Sequence, residues 1–183
     1  ELYSRNYIIN SEGYLYLPEI KDFYAQGKTI NELKNELSEI YKEFIFNPEI
    51  DIQIKAYRPV SIYISGEINK PGLYNISYEP LIRNKFSDEF ASFQVPRLFQ
   101  ALKLANGFSN NADITRIKII RENNISQGGG KIKAEINLLG LFTEGDQNNN
   151  IKLFDGDSIF IPKSDFSIKE QILAINRTNV TSD

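Results

Sequence analysis

The 183 residues contain no histidine, cysteine, methionine or tryptophan. Without histidine or cysteine there is no imidazole base, no thiol nucleophile and no ordinary zinc site. That excludes most hydrolase and metalloenzyme mechanisms. The absence of cysteine fits the cytosol, the periplasm or a trimmed fragment equally, so it leaves the redox compartment open. Without methionine there is no native start, and Glu1 is expected to be an internal residue of a longer chain. No apolar run is long enough to span a bilayer, and no stretch has the charged and apolar segments of a signal peptide. Excess positive charge is also lacking: 21 Lys and Arg stand against 24 Asp and Glu, a net charge of −3. Nucleic acid is therefore not expected as a partner, since it would call for basic side chains clustered on one face.

What is present suits a packed core, with 41% hydrophobic, 12% aromatic and 25% charged residues. Residues 7–20 read as apolar runs around a Ser11-Glu12-Gly13 hairpin turn, closed by Pro18. A helix is predicted from Thr29, which forms a capping box with Glu32. Ile30, Leu33, Leu37, Ile40, Tyr41 and Phe44 then recur at helical spacing. Asn47-Pro48 ends it. Ile50, Ile52 and Ile54 alternate with Asp51, Gln53 and Lys55 as in a one-sided strand. Tyr57-Arg58-Pro59 marks the expected boundary between two units.

In the second unit, Val60, Ile62 and Ile64 share a strand face. Pro71-Gly72 sets the turn to a return strand over 73–78. Residues 79–95 carry no usable periodicity. Pro96 is expected to start a second helix, with Leu98, Ala101, Leu102 and Ala105 inward and Gly107 as its stop. Strands are predicted over 114–121, 131–139 and 158–162, the last introduced by Asp155-Gly156-Asp157. The Asn- and Gly-rich loops 122–130 and 143–150 are expected to be mobile. The polar residues after Lys163 read as a linker. The echo between Gly13–Pro18 and Gly156–Pro162 fits either two related small α+β units or a common local turn-strand-Pro solution.

No catalytic constellation stands out. Gly128-Gly129-Gly130-Lys131 fails as a phosphate loop, because Ile132 occupies the Ser/Thr position and no helix follows. Asp155-Gly156-Asp157, with Glu144 and Asp146 upstream, lacks the ligand spacing of a calcium loop and reads as a tight turn. No metal or cofactor is expected. Tyr14, Tyr16, Tyr63, Phe86, Phe90 and Phe93 are candidates for saccharide stacking or subunit contact. For the three tyrosines, outward cross-strand packing is the plainer explanation. Phe86, Phe90 and Phe93 equally suit anchoring of their own loop.

The segments IINSEGYLYLPEI, GKTINELKNEL and NPEIDIQI resemble the polysaccharide biosynthesis/export domain of outer-membrane polysaccharide export (Wza-like) lipoproteins. YISGEINKPGLY, LFQALKLANGFSNNAD, IKIIR, AEINL and NIKLFDGDSIFIP resemble the SLBB domain, a β-grasp module that follows it in that family. Together they cover about residues 7–163. The resemblance implies an α+β chain: an export domain at 1–58 (strand hairpin, helix, strand), an SLBB β-grasp domain at 59–165, and a linker to a further repeat at 166–183. It implies a non-enzymatic protein on the periplasmic side of the bacterial outer membrane. A homo-oligomeric ring would conduct capsular or extracellular polysaccharide, with an inner-membrane polysaccharide co-polymerase as partner. The membrane attachment, a first strand ahead of residue 1 and further repeats would lie outside this stretch.

Gly13, Pro18, Gly66, Pro71, Gly72, Gly107, Gly156 and Asp157 are the expected fold-defining positions. Residues 79–95 depart from the family as an aromatic-bearing insertion, which long loops permit at small entropic cost. Deleting 84–93 is expected to alter assembly more than folding. A monomeric saccharide- or ligand-binding module is the second reading.

Overall fold

A computed structural model describes residues 5–81, 92–123 and 129–179. The chain divides into two compact units, Glu1–Ile54 and Lys55–Asp183.

In the first unit, β1 (Tyr14–Leu17) and β2 (Lys21–Tyr24) form an antiparallel hairpin in which Leu15 faces Phe23 across the ladder. Its turn is at Pro18–Ile20, not at Ser11–Gly13 as the sequence led us to expect. Glu19 and Lys21 adopt positive φ (66° and 62°), which reverses the chain there. The Asn10 carboxamide oxygen instead accepts from the backbone N–H groups of Glu12 and Tyr14, both at 2.9 Å. Asn10–Gly13 is thus a local turn leading into β1, an arrangement short polar side chains favour.

Helix α1 (Ile30–Tyr41) follows with the predicted capping box: Thr29 Oγ1 accepts from Glu32 N, and Glu32 accepts from Thr29 N at 2.6 Å. Leu33, Leu37 and Tyr41 make its buried stripe and pack with Phe23 and Ala25. Phe44 falls beyond the helix and is half exposed.

Ile50, Ile52 and Ile54 are partly buried and Asp51, Gln53 and Lys55 exposed, as the alternation predicts. Residues 48–55 nevertheless form no ladder and no hydrogen bond among the described residues. Side-chain alternation alone does not make a strand; a partner must lie within hydrogen-bonding reach.

The second unit is built on a mixed five-stranded sheet. Its strands are β3 (Val60–Gly66), β4 (Gly72–Ile76), β7 (Ile117–Glu122), β8 (Lys131–Ile136) and β9 (Ser158–Ile161), in the order β4-β3-β9-β7-β8. The first and last of these in sequence, β3 and β9, run parallel at the centre, while every other pairing is antiparallel. With helix α2 (Leu98–Leu104) contributing to the core on one face, this is the expected β-grasp arrangement within an α+β fold. Ile62, Ile64, Ile117, Ile119, Ile159 and Ile161 point inward against Leu98, Ala101 and Leu102. The alternate positions Tyr63, Leu73 and Phe160 lie on the other face, 49%, 69% and 43% exposed.

Several expectations need correction. Helix α2 starts two residues after Pro96. Arg97 is extended and bridges to Lys152, and the buried Pro96 accepts from Leu153 N at 2.9 Å. Residues 79–95 hold a small antiparallel pair, β5 (Glu79–Leu81) and β6 (Ser92–Gln94). Loop 143–150 is not a free loop. It follows the short helix α3 (Leu139–Thr143), and the buried Asn150 binds Phe99 N, Gln147 Oε1 and, through its carbonyl, Arg97. The polar stretch read as linker contains helix α4 (Ile168–Asn179), opened by Ser167 and Glu170 in reciprocal capping contacts.

Candidate functional site

The positions expected to define the fold fall at turns and close approaches. Gly66 closes β3 at φ +88°, and a Cβ there would lie 2.0 Å from the Ile161 carbonyl oxygen. Gly13, Gly107 and Gly156 also hold positive φ, which a side chain would strain. Gly72 opens β4 at φ +155° after Pro71. Pro18 begins the β1–β2 turn, and its carbonyl accepts from Tyr41 Oη at 2.9 Å.

Asp157 is fully buried. Its carboxylate takes Arg121 Nε at 2.7 Å, Arg121 Nη2 at 2.8 Å and Phe154 N at 2.8 Å. The guanidinium also lies 4.2 Å above the Phe154 ring. Asp155 turns the other way and accepts from Ser61 N at 2.7 Å. The Asp-Gly-Asp turn thereby ties β9 to β7 and β3, and both carboxylates are spent on protein donors. A second buried carboxylate, Asp113, accepts from Thr115 and Arg116. Burial pushes its pKa up, but these hydrogen bonds outweigh burial and hold it below the ordinary 3.8.

Among the described residues every buried side-chain polar atom has a partner, and no three His, Cys, Asp or Glu side chains gather as metal ligands. No described helix is long and apolar enough to cross a membrane.

The candidate contact surface is aromatic. Phe93, on β6, meets Tyr57 edge-on at 5.1 Å, and Tyr57 stacks on Tyr78 at 4.6 Å. Tyr57 remains 44% exposed, so one side of the stack faces solvent. Phe86 and Phe90 lie outside the described residues. The pairing of Phe93 with Tyr57 and Tyr78 was not readable from sequence, because it is the β5–β6 ladder, with Phe93 opposite Pro80, that brings Phe93 back beside Tyr78. Tyr14 packs edge-on against Tyr24 across β1–β2 at 5.2 Å, the cross-strand role expected of it. Tyr16 and Tyr63 are exposed on their strands.

Residues 1–55, which hold the hairpin, α1 and the alternating isoleucines, match the polysaccharide biosynthesis/export protein family. Over longer stretches the chain is similar to parts of three curated proteins. It is 25% identical over 162 residues to the EPS I polysaccharide export outer membrane protein EpsA of Ralstonia nicotianae, covering 88% of this chain and 36% of that protein. Its counterpart in Ralstonia solanacearum is 24% identical over 164 residues, covering 88% and 37%. The exopolysaccharide production protein ExoF of Rhizobium meliloti is 24% identical over 180 residues, covering 94% and 41%. The chain thus spans about two fifths or less of the length of the relatives it matches.

Proposed function

We propose that this chain is the periplasmic part of an outer-membrane polysaccharide export protein. In this reading it assembles into a homo-oligomeric ring that conducts capsular or extracellular polysaccharide out of the cell. Residues 59–165 act as its SLBB β-grasp domain, and an inner-membrane polysaccharide co-polymerase delivers the polymer. The observation that carries the reading is the export-family match of residues 1–55 followed directly by a β-grasp sheet.

The mechanism is passage without bond chemistry. A closed ring of identical subunits joined head to tail needs two different, complementary faces on each copy. The exposed sheet face with Tyr63, Leu73 and Phe160 supports such a role, since contiguous apolar surface of this kind marks interaction sites. A hydrated polymer in transit must be held weakly, or it stalls; polar walls with scattered aromatic rings meet that condition.

Two measurements test the reading. Deleting the gene should abolish extracellular polysaccharide while leaving its synthesis intact. The native mass of the full-length protein in mild detergent should correspond to one closed oligomer of many subunits. A monomer at all accessible concentrations would move the case to the ligand-binding reading.

A further inference from the structure

An open cleft of ≈ 350 Å³ lies on the helical side of the second unit. Helix α2 supplies Phe99, Leu102 and Lys103 to it, the α2 exit supplies Asn106, Gly107 and Phe108, and α3 supplies Phe142. Phe142 stands edge-on to both other rings, with centroids 6.2 Å from Phe99 and 6.0 Å from Phe108. Leu102 is the buried floor, whereas Phe99 and Phe142 are 41% and 42% exposed. Leu98, Ala101 and Leu102 fill the core-facing stripe of α2, so Phe99 is not needed there and is turned toward the cleft.

The lip is polar. Lys103 is the only ionisable residue of the lining and has no ion-pair partner among the described residues. Asn106 and Gly107 reverse the chain at positive φ, 64° and 75°. That turn spends the Asn106 carbonyl on Asn69 Nδ2 and leaves the Asn106 side-chain amide with no hydrogen bond among the described residues.

We infer that this cleft is a subsite for an anionic pyranosyl residue of the polymer, an inference that rests on the export reading above. Its volume falls within the range of small-ligand sites, and its walls are aromatic with a few converging polar groups. The C–H face of a pyranose ring is apolar and flat enough to lie against Phe142 and Phe99, while its hydroxyl edge faces the open mouth. The Lys103 ammonium, a compact charge on a flexible stem, pairs with a carboxylate or equivalent anion on the sugar. The Asn106 amide serves as donor and acceptor to hydroxyl groups. A purely apolar knob from a protein would use the rings but give no role to Lys103 and Asn106, which are exposed at the lip.

The test is titration of the full chain with trigalacturonic acid, and with maltotriose as the neutral control, followed by backbone amide NMR. The acidic sugar should shift signals within residues 99–108 and 139–143 and saturate. Replacing Phe142 by Leu keeps an apolar side chain but removes the ring. Phe142→Leu should weaken binding about tenfold with an unchanged melting temperature. Lys103→Gln should remove a preference for the acidic sugar of about threefold while maltotriose binding stays as it was.

Absence of shifts, shifts confined to other surfaces, or wild-type titration by both variants would overturn the inference. So would cleft shifts that grow with protein concentration in the absence of sugar, which would assign the cleft to a second copy of the chain. The two readings fail separately. Unchanged extracellular polysaccharide after gene deletion defeats export, whereas a deletion that abolishes it alongside wild-type titration by the variants defeats the subsite alone.

Discussion

Replacing Gly66 by alanine should cost the second unit far more than the same change at Gly156. The two glycines hold nearly the same backbone, φ +88° and +82°, so each substitution carries a left-handed strain of about 1–2 kcal/mol. At Gly156 the new Cβ meets nothing within 4 Å. At Gly66 it would lie 2.0 Å from the Ile161 carbonyl oxygen, where an ordinary contact needs at least 3.4 Å. The central β3–β9 pairing must open there, and the same carbonyl accepts from Glu67 N at 2.9 Å. Losing that bond in a buried ladder adds about 1–3 kcal/mol. Gly66→Ala is therefore expected to destabilise by about 4 kcal/mol, and Gly156→Ala by less than half of that. Urea unfolding read from the amide signals of Ile62 and Ile119 confines the measurement to this unit. If the two variants lose the same stability to within about 0.5 kcal/mol, close approach at Gly66 is not what the position is for.

The Arg121–Asp157 pair should respond asymmetrically. Arg121→Met leaves a fully buried carboxylate with one donor, whereas Asp157→Asn leaves a guanidinium that is 30% exposed and can return to water. Asp157→Asn is expected to cost about 3 kcal/mol and Arg121→Met more, and the reverse order would refute this account. Asp113 should add an acid-sensitive component to stability. Its folded-state pKa is below the ordinary 3.8, so its contribution is complete above the unfolded-state value and lost as pH falls through the lower folded-state value. Asp113→Asn should flatten the acid limb of a stability-against-pH curve below 3.8, and an unchanged limb would show that Asp113 does not contribute to it.

Features written in adjacent residues were the legible ones. Thr29 and Glu32 announce α1 because a capping box closes within four residues. Pro71-Gly72 announces the β3–β4 turn for a similar local reason. Long-range pairing was not legible. Nothing near Asp157 names Arg121, and nothing near Pro96 says that Arg97 will bridge to Lys152 before the helix starts. The β1–β2 turn was misplaced because Ser-Glu-Gly is good turn chemistry, while Glu19 and Lys21 reach positive φ only under the constraint of the ladder. For α4 the Ser167–Glu170 cap was in plain view, but the polarity of the following residues outweighed it. The aromatic surfaces were the hardest to see. Phe99, Phe108 and Phe142 come from two helices and a turn, and only the packed unit brings them together.

The first unit holds the export-family match, yet among the described residues its buried hydrophobic core consists of five, gathered on a two-stranded hairpin and one helix. Alongside that core, residues 48–55 have buried part of their isoleucine face without engaging a single backbone donor or acceptor among the described residues. Each ladder bond gained there would contribute about 0.5–1.5 kcal/mol, so one paired strand would change the stability of so small a unit substantially. Hydrogen exchange makes this measurable residue by residue. In the chain as it stands, the amides of Ile50, Ile52 and Ile54 should exchange close to the rate of unstructured peptide, while those of Ile62 and Ile64 are strongly protected. In the assembled full-length protein, protection of 50–55 should rise toward that of β3. Amides 50–55 that are protected from the outset would mean that the segment is already paired, and the first unit would then need no added strand to reach its stability.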